Sequence, residues 1–268
     1  MLKLLTLMGV LGGGLIFGLG PLERQAIYPF DDRRIAPSAA GVPEMHEVVL
    51  RTNGQRLIVW VAAPKAGKPT ILFFHGNAGG LANRAGRFRH FLRNGYGVIA
   101  PAYRGSSGSS GRPNEDRLTR DATYIYGNLD DLIPGLAAEE VVIFGESLGT
   151  GVALRLVAET GRQPRAMILE APYTALPDVV RYAYPDLASL IPRMTNIWNS
   201  RAHVTALKAP LLVVHGTEDP LIPIAQGREI YARAGSERKQ FLAVRGAEHN
   251  DLWRSDVLLR IWRFVDGL

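Results

Sequence analysis

A chain of 268 residues with 47% hydrophobic content can bury one large core, and with no internal period or low-complexity tract, repeat architectures are excluded. Lys and Arg exceed Asp and Glu by 31 to 25, a formal charge of +6, but they are scattered; with no zinc-finger spacing, ribonucleoprotein aromatic motif or basic zipper helix, nucleic acid is not an expected partner. The chain has no cysteine, which excludes disulfides, thiolate catalysis and a lipid-modified cysteine anchor without choosing a redox compartment.

At the N-terminus, Lys3 precedes an apolar stretch from Leu4 to Gly20, near the lower limit of roughly 17 to 25 residues for a spanning helix and long for a signal-peptide core. Cleavage after Gly20 would leave Pro21 as the first mature residue, where its missing N–H and fixed φ disfavour processing. Residues 1–22 are therefore read as an uncleaved membrane anchor. The amino terminus and Lys3 would stay inside, which puts the following domain on the non-cytoplasmic side, although Arg24, Arg33 and Arg34 on the other flank dilute that signal. The alternative is an apolar helix packed on a soluble domain. Residues 23–43 read as a polar connecting stretch, and residues 44–268 as the folded domain.

Within that domain, Val48 to Arg51 and Leu57 to Ala62 predict two strands joined at Asn53-Gly54, a dipeptide suited to a tight hairpin turn. The pattern then alternates. Strand-like Thr70 to His75 is followed by a helical period over Leu81 to Asn94, strand-like Gly97 to Pro101 by a helix over Asp116 to Leu132, and strand-like Val141 to Gly145 by a helix over Leu148 to Glu159. Ala166 to Glu170, Leu211 to His215 and Gln240 to Val244 complete eight strands before a terminal helix from about His249 to Phe264. Their continuous β-branched and leucine runs suit parallel strands covered on both faces. The expected fold is α/β: a mostly parallel eight-stranded sheet flanked by helices, with its chemistry in loops beyond the carboxyl ends of the strands.

Those loops carry a recognisable set. Gly145-Glu146-Ser147-Leu148-Gly149 lies between a predicted strand and a predicted helix, the context that a G-x-S-x-G nucleophile elbow requires. A serine hydroxyl needs a base, and His249 follows the last strand, where it can fold back over the elbow; the other five histidines sit in positions that packing or loop bonding explains. Asp219, in the loop after Leu211 to His215, is the carboxylate expected to orient His249, with Glu170 as competitor and Glu218 pointing elsewhere. The order Ser, Asp, His is that of the α/β-hydrolase topology. The backbone N–H groups of Asn77, in the glycine-rich segment Phe74 to Gly80, and of Leu148 are expected to form the oxyanion hole. That segment has neither a G-K-[ST] ending nor the dinucleotide-binding glycine register, so it does not read as a phosphate cradle.

The segments HGNAGG, AYRGSSGSSG, GESLG, HGTEDPLIP and GAEHND resemble, in order and spacing, the BEM46-like α/β hydrolases, over nearly the whole chain from about Val48. The resemblance implies an ester or thioester hydrolase, membrane-anchored in many relatives, with Tyr103-Arg104-Gly105 near the active-site rim. Ala102 departs from it, since an aspartate is usual there. The insert from Pro172 to Thr205 reads as a small cap over the site, its apolar and aromatic residues suiting a small-molecule or lipid-like acyl substrate, while half or more of them are expected to pack on the core. Neither a metal nor an organic cofactor is needed. An inactive membrane-tethered scaffold on the same fold, a peptidase and an acyltransferase stay open as alternatives.

Overall fold

The computed structural model describes residues 19–268, so the apolar stretch from Leu4 lies outside the described residues except for its last two positions. Among the described residues no helix is long and apolar enough to cross a membrane.

Strands β1 (His46–Thr52) and β2 (Gln55–Ala62) form the expected hairpin, with Asn53 at φ 47° and Gly54 at φ 70°. The positive φ at both positions is what a two-residue turn of this hand demands. Strands β3 (Thr70–Phe74), β4 (Gly97–Pro101), β5 (Val141–Glu146), β6 (Ala166–Glu170), β7 (Leu211–Gly216) and β8 (Lys239–Val244) run parallel to one another, and the eight-stranded sheet has the order β1-β2-β4-β3-β5-β6-β7-β8. Every residue of β3, β4, β6 and β7 is buried, as strands roofed on both faces require.

The two-residue pleat divides the core. Leu72 and Phe74 of β3 face one cluster with Leu118 and Ile125 of helix α3 (Glu115–Gly127) and Val152 and Leu156 of α4 (Leu148–Thr160). Ile71 and Phe73 face the other, with Phe88 and Phe91 of α2 (Ala85–Arg93) and Ile261 and Phe264 of α8 (Ser255–Asp266). Helix α1 (Leu19–Ile27) precedes this layer structure, and α5 (Leu176–Ala183), α6 (Ser200–His203) and α7 (Ile224–Arg233) follow β6 and β7.

Four features differ from the reading of the sequence. The helical period at Leu81 to Asn94 is broken into a 3-10 turn, Leu81–Arg84, and α2, because the Asn83 side chain accepts the Gly80 N–H at 2.9 Å and tightens the entry. Helix α3 stops at Gly127 instead of Leu132; Asn128 donates from its side-chain amide to the Tyr124 carbonyl at 2.7 Å, and the chain turns away. The terminal helix begins at Ser255, not His249. Residues before it form a loop in which Asp251 accepts the Glu248 N–H at 2.6 Å and Arg254 donates to the Arg245 carbonyl at 3.1 Å. Of the cap residues Tyr182, Tyr184, Leu187, Leu190, Ile191, Met194 and Trp198, only Trp198 is buried in the core, at 0% exposure, fewer than the half expected, while Tyr182 and Tyr184 stand 51% and 52% exposed.

The stretch before β1 does more than connect. Glu23 accepts the N–H groups of Thr195 (2.9 Å) and Asn196 (2.8 Å). The Tyr28 hydroxyl, buried, donates to Asn196 Oδ1 at 2.8 Å and accepts from the Trp198 indole at 2.9 Å. Helix α1 is thereby tied to the cap at its middle, through Glu23, and just past its C-terminal end, through Tyr28.

Candidate active site

Strand β5 runs directly into Ser147, and α4 starts one residue later. So abrupt a reversal puts Ser147 at φ 49° and ψ −113°, a conformation that side chains rarely adopt and that a surrounding structure must enforce. The enforcement is visible: the Ser147 N–H donates to the Glu170 carbonyl at 2.9 Å, and the Thr150 N–H and hydroxyl both donate to the Ser147 carbonyl, at 2.9 and 2.6 Å. The flanking glycines allow helix and sheet to touch. A Cβ on Gly149 would lie 2.0 Å from the Phe74 carbonyl oxygen, and one on Gly145 2.7 Å from the Gly149 oxygen.

His249 reaches the elbow from the loop after β8. Its Nε2 lies 3.0 Å from Ser147 Oγ and its Nδ1 2.7 Å from Asp219 Oδ2. Asp219, in the turn after β7, is held on its other oxygen by the N–H groups of Leu221 (2.9 Å) and Ile222 (2.8 Å). Burial pushes the Asp219 carboxyl up, but the hydrogen bond and charge of His249 and the two backbone donors outweigh it, leaving the group below its usual range. An ionised Asp219 accepts the Nδ1 proton, so Nε2 is left with a lone pair for the serine hydroxyl.

The competing side chains lie elsewhere. Glu170 pairs with Arg87 at 2.8 Å and accepts from the Trp253 indole at 2.7 Å, and Glu218 is exposed. His75 and His215 are buried, with ring nitrogens 2.8 Å from the carbonyls of Gly76 and Ile222 respectively.

Asn77 and Leu148 line the same cavity as Ser147. Neither backbone N–H has an acceptor among the described residues; for Leu148 this is the ordinary condition of a first helical residue, whose donor points outward with the positive end of the helix dipole. The cavity, of about 310 Å³, continues past Tyr173, Leu176 and Val179 to Leu221 and Ile222.

A group that the motif reading did not single out lies behind the elbow. Glu146, next to Ser147 in the chain, is bound by Arg84 at 2.8 Å, and Arg84 also donates to the Ala78 carbonyl in the glycine-rich loop. Arg87 lies 3.9 Å from Glu146 and bridges to Glu170. Burial would raise the Glu146 carboxyl, yet Arg87 and Arg84 hold it down, and it stays ionised. The available signal was a charged residue inside an otherwise apolar strand end, and two arginines three apart on one helical face. On the other side of the loop, the Tyr103 hydroxyl donates to the His75 carbonyl at 3.0 Å. Ala102 is buried, its N–H and C=O satisfied by Ile58 and Ser109.

Comparison with known proteins agrees with this fold. Residues 69–197 match a family model described as alpha/beta hydrolase fold, and residues 187–253 one described as serine aminopeptidase, S33. Protein bem46 of Schizosaccharomyces pombe is 31% identical over 80% of this chain and 73% of its own. Lysophosphatidylserine lipase ABHD12 of Gallus gallus is 33% identical over 75% of this chain, which spans 58% of that protein. Among solved structures, the Pyrococcus furiosus esterase Pf2001 superimposes with a TM-score of 0.71 at 19% identity, over 90% of this chain and 96% of its own, a likeness of fold. On identity and coverage, the chain belongs to the BEM46-like family of α/β hydrolases.

Proposed function

We propose that this protein is a serine hydrolase of carboxylic esters or thioesters, with Ser147 as nucleophile, His249 as general base and acid, Asp219 orienting His249, and the N–H groups of Asn77 and Leu148 as the oxyanion hole. The observation that carries the reading is the continuous hydrogen-bonded series Ser147–His249–Asp219, at 3.0 and 2.7 Å, opening onto an apolar cavity. In the first step Ser147 Oγ bonds to the acyl carbon while its proton passes to His249 Nε2. The bond to the leaving oxygen or sulfur then breaks, and His249 returns the proton to it. Water, activated by the same nitrogen, releases the acid. Every step uses side chains and backbone of this chain alone, in keeping with the esterases and lipases among its relatives.

The substrate is lipid-like in this reading, and the domain is held at a membrane by residues 1–22, on the non-cytoplasmic side; the apolar run from Leu4 to Gly20 and the lipase relative support this. Residues 172–205 are the cap of a domain covering residues 44–268. Fluorophosphonate labelling of wild type, Ser147→Ala and His249→Ala, alongside turnover of p-nitrophenyl esters, tests the chemistry. Labelling is expected in wild type and absent in Ser147→Ala, with turnover lost in both variants. A folded wild type that neither labels nor turns over would return the chain to the scaffold reading, and preference for peptide p-nitroanilides would return it to the peptidase one. Resistance to alkaline carbonate extraction is expected of the full chain; release into the soluble fraction contradicts a spanning anchor.

A further inference from the structure

The cavity at Ser147 is lined by parts of the chain far apart in sequence, Leu187 and Met194 of the cap and Ala26 and Ile27 of α1 among them. We propose that α1 is a fixed wall of an acyl-chain pocket that takes one straight chain of up to about a dozen carbons, with Ile27 and Met194 gauging its length. The inference rests on the hydrolase reading and adds the substrate class and the residues that select within it.

Three observations carry it. The cavity begins at the nucleophile, and away from Ser147 and Asn77 its walls are aliphatic or aromatic, so the moiety it fits is the apolar acyl part of an ester and not a polar head. Its volume is about 310 Å³; since a cavity of roughly 150 Å³ holds the six carbons of benzene, this one fills with about twelve. The α1 wall is held in place. Glu23, one turn before Ile27, accepts the N–H groups of Thr195 and Asn196, and Tyr28, one residue after it, bonds to Asn196 and Trp198. Ala26 and Ile27 thus lie between two ties to the cap segment that carries Met194, and the two walls are set relative to each other. A pocket with pinned walls discriminates by length, because each methylene that enters is rewarded by burial and each one beyond the end must remain outside.

The consequence is a rise in kcat/KM of about fourfold for each methylene accommodated, a maximum near a dozen carbons, and a fall beyond it. The test is a p-nitrophenyl ester series from acetate to stearate on the full chain in detergent, comparing wild type, Ile27→Trp, Met194→Trp and Gln25→Trp. Gln25 is exposed on the same helix and outside the cavity. The expected result is a laurate-to-acetate ratio of kcat/KM at least about tenfold lower in Ile27→Trp and Met194→Trp than in wild type, with the ratio unmoved in Gln25→Trp. If Ile27→Trp fails to fold, Met194→Trp makes the same comparison. A wild type active on acetate whose length profile is the same in both cavity variants overturns the pocket and leaves the hydrolase reading standing. A wild type inactive on every ester and unlabelled by fluorophosphonate removes the hydrolase reading first.

Discussion

Ser147 is strained, and the residues that hold it there are separable from those that react. In the proposed mechanism Asp219 orients the base: replacing it with Asn keeps the shape but presents an amide to Nδ1, so the ring loses its preference for the tautomer with a free Nε2. Asp219→Asn is expected to lower kcat by about 10⁴-fold with the fold intact, read by turnover and circular dichroism together. Arg84 acts at one remove. It binds the Glu146 carboxylate beside Ser147 and the Ala78 carbonyl beside Asn77, so one guanidinium sets the elbow against the glycine-rich loop proposed to hold the oxyanion. Arg84→Lys keeps the charge but not the fork of donors, and a displacement of the loop by a fraction of an ångström weakens the stabilisation of charge that exists only in the transition state. The expectation is a fall in kcat of about 10 to 100-fold for Arg84→Lys with KM within a few fold of wild type. A change confined to KM would mean that Arg84 shapes substrate binding instead.

Helices and strands in this molecule approach until backbone touches backbone, and the clearest case is α4 on β3. With the Phe74 carbonyl 2.0 Å from where a Cβ at Gly149 would lie, Gly149→Ala must push the helix off the sheet; a loss of about 3 kcal/mol or more of stability is expected in urea unfolding, or no folded protein at all. The α1 segment is held by polar atoms instead. Tyr28→Phe would leave the buried Trp198 indole N–H without its acceptor, while Asn196 Oδ1 keeps the Glu115 N–H, at a cost of about 1 to 3 kcal/mol, measurable as a lower midpoint in the same experiment. These two contacts also mark how far the sequence could be read. The inner strands were legible because runs such as Ile71 to Phe74 and Val141 to Phe144 admit little but a buried strand, and Ser147, Asp219 and His249 because each follows such a run beside turn residues. Helix ends were not, since Asn83, Asn128 and Asp251 end or delay helices through single side-chain bonds to backbone that hydrophobic periodicity does not register. The Glu146–Arg84 and Glu170–Arg87 pairs, 62 and 83 residues apart, and the Tyr28–Trp198 tie, 170 apart, exist only once the sheet has brought distant loops together.

At the scale of the whole molecule the buried ionisable groups make stability depend on pH, and the direction follows from which state binds the proton. His75 is fully buried; burial first, and then the charge of Arg84, lower it from an ordinary 6.5 to about 3. Below pH 6.5 the unfolded chain therefore takes up a proton at this position while the folded chain refuses it until about pH 3. The contribution is present in full above 6.5 and is lost as pH falls toward 3, at a slope approaching about 1.4 kcal/mol per pH unit. His215, also lowered by burial, acts in the same sense. Glu146 adds to the loss only below its ordinary 4.5, and Glu170, raised by burial, opposes it. Replacing His75 alone isolates the contribution of one imidazole from these. Urea unfolding of Ser147→Ala protein at pH 7, 6 and 5 should show stability falling at each step. In the additional presence of His75→Asn, whose amide can still donate to the Gly76 carbonyl, the fall should be shallower by up to about 1.4 kcal/mol per unit. An identical slope with and without His75 would mean that the imidazole is protonated in the folded protein, and that the space between Phe30, Tyr103 and Arg84 accepts a second positive charge that its packing argues against.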